Sequence, residues 1–596
     1  MIRKRRKVTL GYTAPVVMTR LAFGSLFFGL AAAATAAGAP APAPVPSPVP
    51  APAPVGMPAL RRQGNATQLL VDGKPFLILG GELGNSTASS AESLAAAWPK
   101  IAAVHANTVL VPVYWELIEP AEGTFEFASV TRAIEQARQH QLRLVLLWFG
   151  SWKNGMSSYV PAWVKRDSRR FPRAEVAGGR AVEALSAFSV EGAAVDGRAF
   201  AALMRHLRRI DGARHTVLMV QVENEVAMIE EAADRSAAAQ RAFAAPVPAE
   251  LVGYLQAHRA TLAGALAQAW KTAGERAAGT WSEVFGPGPA TEEIFMAWYF
   301  ARYVDAVARA GRAQYALPLF VNAALNRPGA RPGQYPSGGP LPHLYDVWRA
   351  GAPTVDFLSP DIYYGNFAEW TGRYARSDNP LFVPEAKNDL ACAVNAIYAI
   401  GAHQALGFSP FAIESIERSI EGSIERSIER SSAASAPAGA AVSAGAGLAA
   451  SYRILGQLAP LLLEQRGRGT VTAVLLDKES PSQEVKLGEH RLLLRHDYTW
   501  EWSGPARLAP TWPRAAAVII STGPREYIVA GSGVIATFAP EPPIAGVAGI
   551  ERIEEGRFQN GKWIAGRRFN GDENHQGRHL RLPAGEFGIQ RIWLYR

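Results

Sequence analysis

The chain has 596 residues, 48% of them hydrophobic and 19% charged, an ordinary globular balance with room for two or three domains. The net charge of +9 is partly spent on the opening MIRKRRK and is otherwise diluted. No basic stripe interleaves with aromatics, so nucleic acid is not an expected partner. Cys392 is the only cysteine, which excludes an intrachain disulfide and a thiolate cluster. No HExxH and no Cys/His grouping of ligand spacing occurs, so neither a metal nor another cofactor is expected.

In chain order, residues 1–39 read as a signal peptide: basic residues, an apolar core from Leu21 to Ala37, then small-x-small cleavage positions. They predict export to the periplasm or beyond, with no stable membrane insertion after cleavage. Residues 40–60 are a Pro/Ala-rich linker, too poor in large apolar side chains to build a core. Residues 61–414 then alternate short apolar runs with amphipathic stretches. Leu69–Gly81 predicts a hairpin turning at Asp72-Gly73, followed by a strand. Further strands are predicted at Asn107–Trp115, Leu142–Phe149, Thr216–Val222, Leu317–Asn322, Asp356–Tyr364, Pro380–Pro384 and Ala405–Ile413. Helices fall between them, notably at 91–105, 127–141, 196–209, 249–275, 292–311 and 389–401. Eight strands alternating with helices predict an α/β fold, a (β/α)8 TIM barrel. An open doubly wound sheet is the alternative, but the turn after the first strand reads GGELGNST and lacks the glycine pattern of a dinucleotide loop.

The residues at the C-terminal ends of these strands are where a barrel keeps its active site. They include Glu82, Trp115 and Glu116, Trp148 and Trp152, then Glu223, Asn224 and Glu225, Asn322, Tyr363 and Tyr364, and Glu385. A buried strand has no structural need for two carboxylates and an amide at its end, because such groups are costly to desolvate. Two carboxylates on different strands, set among aromatics and amides, suit glycoside hydrolysis: one protonated to donate, one ionised to attack or to activate water. Glu225 and Glu385 fit that division. A separation of about 5–5.5 Å would retain configuration and about 6.5–9.5 Å would invert it. Glu223 competes with Glu225, since residues two apart on a regular strand face the same side.

These stretches resemble the β-galactosidases of glycoside hydrolase families 35 and 42. QVENE (221–225) is similar to the acid/base motif of the retaining (β/α)8 glycosidases, VPVYWELIEPAEGTFEF (111–127) to the second-strand signature of both families, and LFVPEAK (381–387) to the nucleophile strand. STGPREYIVAGSG (521–533) and GRRFNGDENHQGRHLRLP (566–583) resemble a β-rich domain behind the barrel in a bacterial subgroup of family 35. On this resemblance the chain is identified as a member of family 35, although Glu116 stands where that family carries Asn. The resemblance implies a retaining β-galactosidase in which Glu225 is the acid/base, Glu385 the nucleophile and Asn224 the partner of the sugar 2-hydroxyl. Tyr364 or Tyr363 would orient Glu385. Trp115, Glu116, Trp148, Trp152 and Glu82 are further candidates for substrate contact. The implied partner is a β-galactoside oligosaccharide, with xyloglucan fragments as one source. Another retaining exo-β-glycosidase of the same clan and a non-catalytic carbohydrate-binding barrel remain alternatives.

Residues 415–449 open with four tetrapeptides, SIER-SIEG-SIER-SIER, and continue Ala/Ser/Gly-rich. They read as a low-complexity insertion. From 450 to 596, after a helix at 452–463, short strands separated by Gly and Pro turns predict a β-sandwich or jelly roll. Its expected task is to buttress the barrel.

Overall fold

The computed structural model describes residues 56–416, 443–542 and 546–595. The signal peptide, the linker up to residue 55 and the SIER repeats from 417 to 430 lie outside the described residues. The linker's last residues already belong to a sheet: Ala59–Gln63 pairs antiparallel with Ala66–Val71, which pairs with Lys74–Phe76. Asp72 and Gly73 between the last two have φ of 52° and 75°, the two positive values that a type I′ hairpin turn requires.

Eight parallel strands close into a barrel. In chain order they are Ile78–Glu82, Thr108–Tyr114, Arg143–Lys153, Val217–Asn224, Leu319–Ala324, Phe357–Ile362, Val383–Ala386 and Gly407–Pro410. Closure is made by the eighth strand pairing with the first, Gly407 opposite Ile78. All seven residues of Thr108–Tyr114 and all eight of Val217–Asn224 are buried. That is why they read as continuous apolar runs: parallel strands are covered by the barrel core inside and by helices outside. Serine side chains cap several of the outer helices, as Ser90 does by accepting the Ser93 N–H and Ser189 by accepting the Gly192 N–H.

The chain after residue 443 does not leave the barrel at once. Helix Ala444–Gln465 lies across the closure. Its Tyr452 hydroxyl is 2.8 Å from both the Gly80 and the Phe408 carbonyl oxygens, and its Ser451 hydroxyl donates to the Ala393 carbonyl at 2.7 Å. The Ala/Gly-rich residues read as low-complexity up to 449 are therefore partly helix. Ala444, Gly445 and Gly447 are buried, and their small side chains allow the close approach. This helix is the outer helix of the last barrel unit, not the start of the sandwich.

Behind it stand two antiparallel sheets, one of six strands and one of four. In the six-stranded sheet Ala516, Val518 and Ile520 join the barrel's core cluster, while Ala515, Ala517 and Ile519 join a second cluster shared with the four-stranded sheet. The sheet is thus a middle layer with both faces covered, which explains the unbroken apolar run AAAVII. Arg514 ties this region to the barrel mouth by donating to the carbonyl of Gly365, directly after Tyr363 and Tyr364.

Candidate active site

The end of the fourth strand is not regular. Glu223 has φ +61° and Glu225 φ +46°. Two left-handed residues within three break the alternation of the strand, so the two carboxylates part company. Glu223 turns back into the wall and accepts the Trp152 N–H at 2.8 Å. It faces Asp196, which accepts the Trp148 indole N–H at 2.8 Å and the Ser151 hydroxyl at 2.5 Å. A side chain at Gly150 would leave no room, since its Cβ would sit 2.6 Å from Glu223 Oε1. Burial first, and the Asp196 charge second, hold the Glu223 carboxyl well above the usual carboxylate range. Burial likewise raises Asp196.

A raised folded pKa means that the folded state binds the extra proton. The stability it contributes is fully present below the ordinary value of 4.5 and is lost as pH rises through the raised value. Glu223→Gln is neutral at every pH and is expected to flatten that decline. The drop in Tm between about pH 5 and pH 8 should be smaller in the variant than in the wild type. Parallel Tm curves would count against a protonated Glu223.

Glu225 instead enters the mouth. Its N–H donates to Asn322 Oδ1 at 3.0 Å, and Asn322 Nδ2 donates to Asp361 Oδ2 at 2.6 Å, so strands four, five and six are stitched at their ends. Burial, then the charge of Glu385, push the Glu225 carboxyl up to about 7, against the opposing effects of Lys153 and Asp361. Glu385 ends the seventh strand opposite Asp361 and is 4% exposed. The Tyr363 hydroxyl donates to its Oε1. Glu82, from the first strand, is held well above the usual range by burial and by the charge of Glu385, as is Asp361. A cavity of about 230 Å³ opens beside Glu225 and Asp361, with Tyr363, Tyr364, Arg327 and Tyr335 also in its lining. Both amide atoms of Asn224 are buried without a partner among the described residues, whereas the Glu82 and Glu385 carboxyls are hydrogen-bonded to each other. Buried polar groups are normally hydrogen-bonded, so an amide left unpaired in this way calls for a partner from outside the chain. A larger cavity, about 730 Å³, lies elsewhere, between helices Val190–Asp211 and Pro289–Arg312. Its lining includes no carboxylate. Among the described residues no group of three His, Cys, Asp or Glu is arranged to hold a metal ion.

The structure thus brings Glu225, Glu385, Glu82, Asn224, Tyr363 and Tyr364 to one mouth. Tyr363 rather than Tyr364 reaches Glu385; the Tyr364 hydroxyl donates to the Leu325 carbonyl at 3.4 Å. Four candidates are placed otherwise. Trp115, Trp148 and Trp152 are fully buried. Trp115 donates to Glu119, Trp148 to Asp196, and Trp152 packs edge-on against Phe300 and Tyr303. They hold the wall and offer no face to a sugar. Glu116 sits on the short helix Trp115–Ile118 and pairs with Lys165 at 3.6 Å. The expectation that Glu223 and Glu225 share a side fails because a non-glycine positive φ leaves no mark in the sequence. Asp361 and Lys153 were missed as site residues. Each is a charged residue close to the end of an apolar run, a signal visible in DFLSPDIYY and in LRLVLLWFGSWK.

Comparison with known proteins bears on this geometry. Residues 90–305 match the family model Glyco_hydro_42, described as Beta-galactosidase, and residues 448–581 match DUF5597, a domain of unknown function. The first match includes Glu225 and stops before Glu385. The matching model is that of family 42, and the expectation of family 35 finds no support in it. The second-strand stretch that carried much of the resemblance is common to both families. Among solved structures the chain is similar to the β-galactosidase from Bacillus circulans sp. alkalophilus, at 15% identity over 56% of this chain and 50% of that one, with a TM-score of 0.38. It is also similar to that from Marinomonas ef1, at 13%, 56% and 54%, TM-score 0.38. A third is a catalytic mutant of Gan42B, a GH42 β-galactosidase from G. stearothermophilus, at 12%, 87% and 98%, TM-score 0.42. The chain spans about half the length of the first two. No curated protein matches. The fold is an eight-stranded TIM barrel followed by β-rich sheets, and the match over 90–305 places that stretch with the glycoside hydrolases.

Proposed function

We propose that this chain is a retaining β-galactosidase that removes terminal non-reducing β-D-galactose from oligosaccharides, including fragments of xyloglucan, after export through its N-terminal segment. The observation that carries the reading is the unequal pair at the mouth. Glu225, raised to about 7, can stay protonated near neutrality, while Glu385 receives a hydroxyl donor from Tyr363. The family match over 90–305 supports galactose as the sugar. In this reading Glu225 donates its proton to the departing oxygen as Glu385 attacks the anomeric carbon. The charge developing at the ring is met by the surrounding carboxylates. Glu225, now ionised, then takes a proton from the water that releases galactose from Glu385. Asn224 reaches the 2-hydroxyl with its otherwise unpaired amide.

A panel of nitrophenyl glycosides, followed by proton NMR of the first sugar released, tests this. Release of the β-galactoside with β-galactose appearing first is expected. α-Galactose appearing first would make the reaction inverting. Release from a different glycoside alone would favour another exo-β-glycosidase of the clan, and no release at all would favour the non-catalytic barrel.

A further inference from the structure

Lys153 is a charged residue that the two-carboxylate mechanism does not use. It is 6% exposed, at the far end of the third strand. Its place is built by two local devices. After a one-residue shift between Leu144 and Val145, the third strand runs in register with the fourth from Val145 to Trp148 opposite Val222, and the pairing resumes with Lys153 opposite Asn224. Five steps on one strand thus face two on the other. The extra residues form a bulge, which re-aims the side chain that follows it. Beyond Lys153 the chain reverses through Asn154 and Gly155, with φ of 54° and 70°. The Lys153 N–H donates to the Met156 carbonyl at 2.8 Å, and the Met156 N–H returns to Lys153 at 3.0 Å. A two-residue hairpin of this type is a tight, rigid turn. Its Gly155 is packed so closely that a Cβ there would sit 2.7 Å from Ile229 Cδ1.

The ammonium held by this frame is under-satisfied. Among the described residues it makes no hydrogen bond and no ion pair at contact distance. It stands over the Phe149 ring, 5.1 Å from the centroid. Around it stand Glu385, Glu225, Glu82 and Asp361, each acting on it by charge without touching it. Lys153 is also the cation that acts on Glu82, Glu225 and Asp361 alike. A buried cation with three N–H donors and no acceptor is costly, and nothing in the fold of the strand demands it. The cost is relieved when a ligand bearing oxygen acceptors reaches the ammonium. The amide atoms of Asn224, paired opposite it in the sheet and left without partners, need both a donor and an acceptor. Vicinal hydroxyls supply both.

We propose that Lys153 is a binding and specificity-determining residue of the glycone pocket, its ammonium donating to one hydroxyl of the sugar being cleaved while it stands as counter-charge to Glu385. This rests on the hydrolase reading above and goes beyond its pair of carboxylates. The contacted hydroxyl is recognised by a site built to hydrogen-bond it. The discrimination against an analogue lacking that hydroxyl should therefore be large in the wild type and should vanish with the ammonium.

The test measures kcat/KM of wild type, Lys153→Met and Lys153→Gln on nitrophenyl β-galactoside and on its 2-, 3-, 4- and 6-deoxy analogues, with circular dichroism and Tm as controls of folding. Lys153→Met is expected to lose about 100-fold or more on the parent sugar, yet about threefold or less on one particular deoxy analogue. Lys153→Gln, which keeps a neutral donor, should recover part of the discrimination at that same hydroxyl. An equal loss on the parent and every analogue would overturn the proposal, because a merely structural role moves all substrates together. So would an unchanged parent rate. A wild type that cleaves none of the standard nitrophenyl glycosides overturns the hydrolase reading and this one with it. An active wild type with a uniform loss in the variants overturns this one alone.

Discussion

Glu385→Ala is expected to lower kcat/KM on nitrophenyl β-galactoside by about 10⁴-fold or more, equal to about 5.4 kcal/mol of transition-state stabilisation. The loss follows from its position: Glu385 lies at the end of the seventh strand, where the Tyr363 hydroxyl donates to it and the Glu82 carboxyl is hydrogen-bonded to it. No other carboxylate is placed to take over, since Glu82 and Asp361 are both held toward their neutral forms by burial and by neighbouring charge. The truncated side chain leaves space at the anomeric carbon. Added azide should therefore restore turnover in the variant and give the α-galactosyl azide, a single inversion replacing the double displacement. A β-galactosyl azide, or residual activity within about tenfold of wild type, would take the nucleophile's role away from Glu385.

Glu225→Ala carries the second large effect, and its size should depend on the leaving group. General acid catalysis contributes about 10²–10⁴-fold when the departing oxygen needs a proton. Release from an oligosaccharide should fall by about that factor, whereas a dinitrophenyl galactoside, whose leaving group needs no proton, should form the glycosyl-enzyme at close to the wild-type rate. Azide should here give the β-galactosyl azide, because it attacks the intermediate in place of water. The pH profile gives an independent reading. With the Glu225 carboxyl pushed up to about 7, wild-type kcat/KM on oligosaccharide should fall as pH rises past that value, and the variant should lose this limb. A variant that keeps the limb would assign the proton to another group.

Much of the barrel was legible because parallel strands buried on both faces are written largely as apolar runs, as Thr108–Tyr114 and Val217–Asn224 are, and each of the eight observed strands overlaps a stretch so read. The two mouth carboxylates were legible for a related reason: Glu225 and Glu385 interrupt apolar runs at their ends, where burial alone would reject them. What escaped depends on backbone geometry that residue type does not encode. Glu223 looked equivalent to Glu225 until two positive φ values sent one into the wall and the other into the mouth. Lys153 reaches the site only because a bulge spends extra residues between Trp148 and itself. The tryptophans misled in the opposite direction. Trp115 and Trp148 carry a polar N–H that asks for a partner, and buried Glu119 and Asp196 supply it, so polar residues near aromatic ones signalled wall construction and not sugar stacking. Strand Gly549–Gln559 leaves little mark in the sequence, because its apolar residues are sparse between charged ones and most of its length is only half-buried.

The six-stranded sheet lies between the barrel's outer helices and the four-stranded sheet, and its neighbouring residues alternate between two cores. A boundary drawn in the sequence near residue 466 is therefore not a boundary in free energy. Stripping away the last 130 or so residues would bare the apolar flank of helices Cys392–Ala402 and Ala444–Gln465, and the latter holds the seam between the first and eighth strands through Tyr452. Heat that opens the rear sheets would loosen that seam, and with it the register on which Glu82 and Glu385 converge. Catalysis and the rear of the molecule should accordingly fail together, at one temperature.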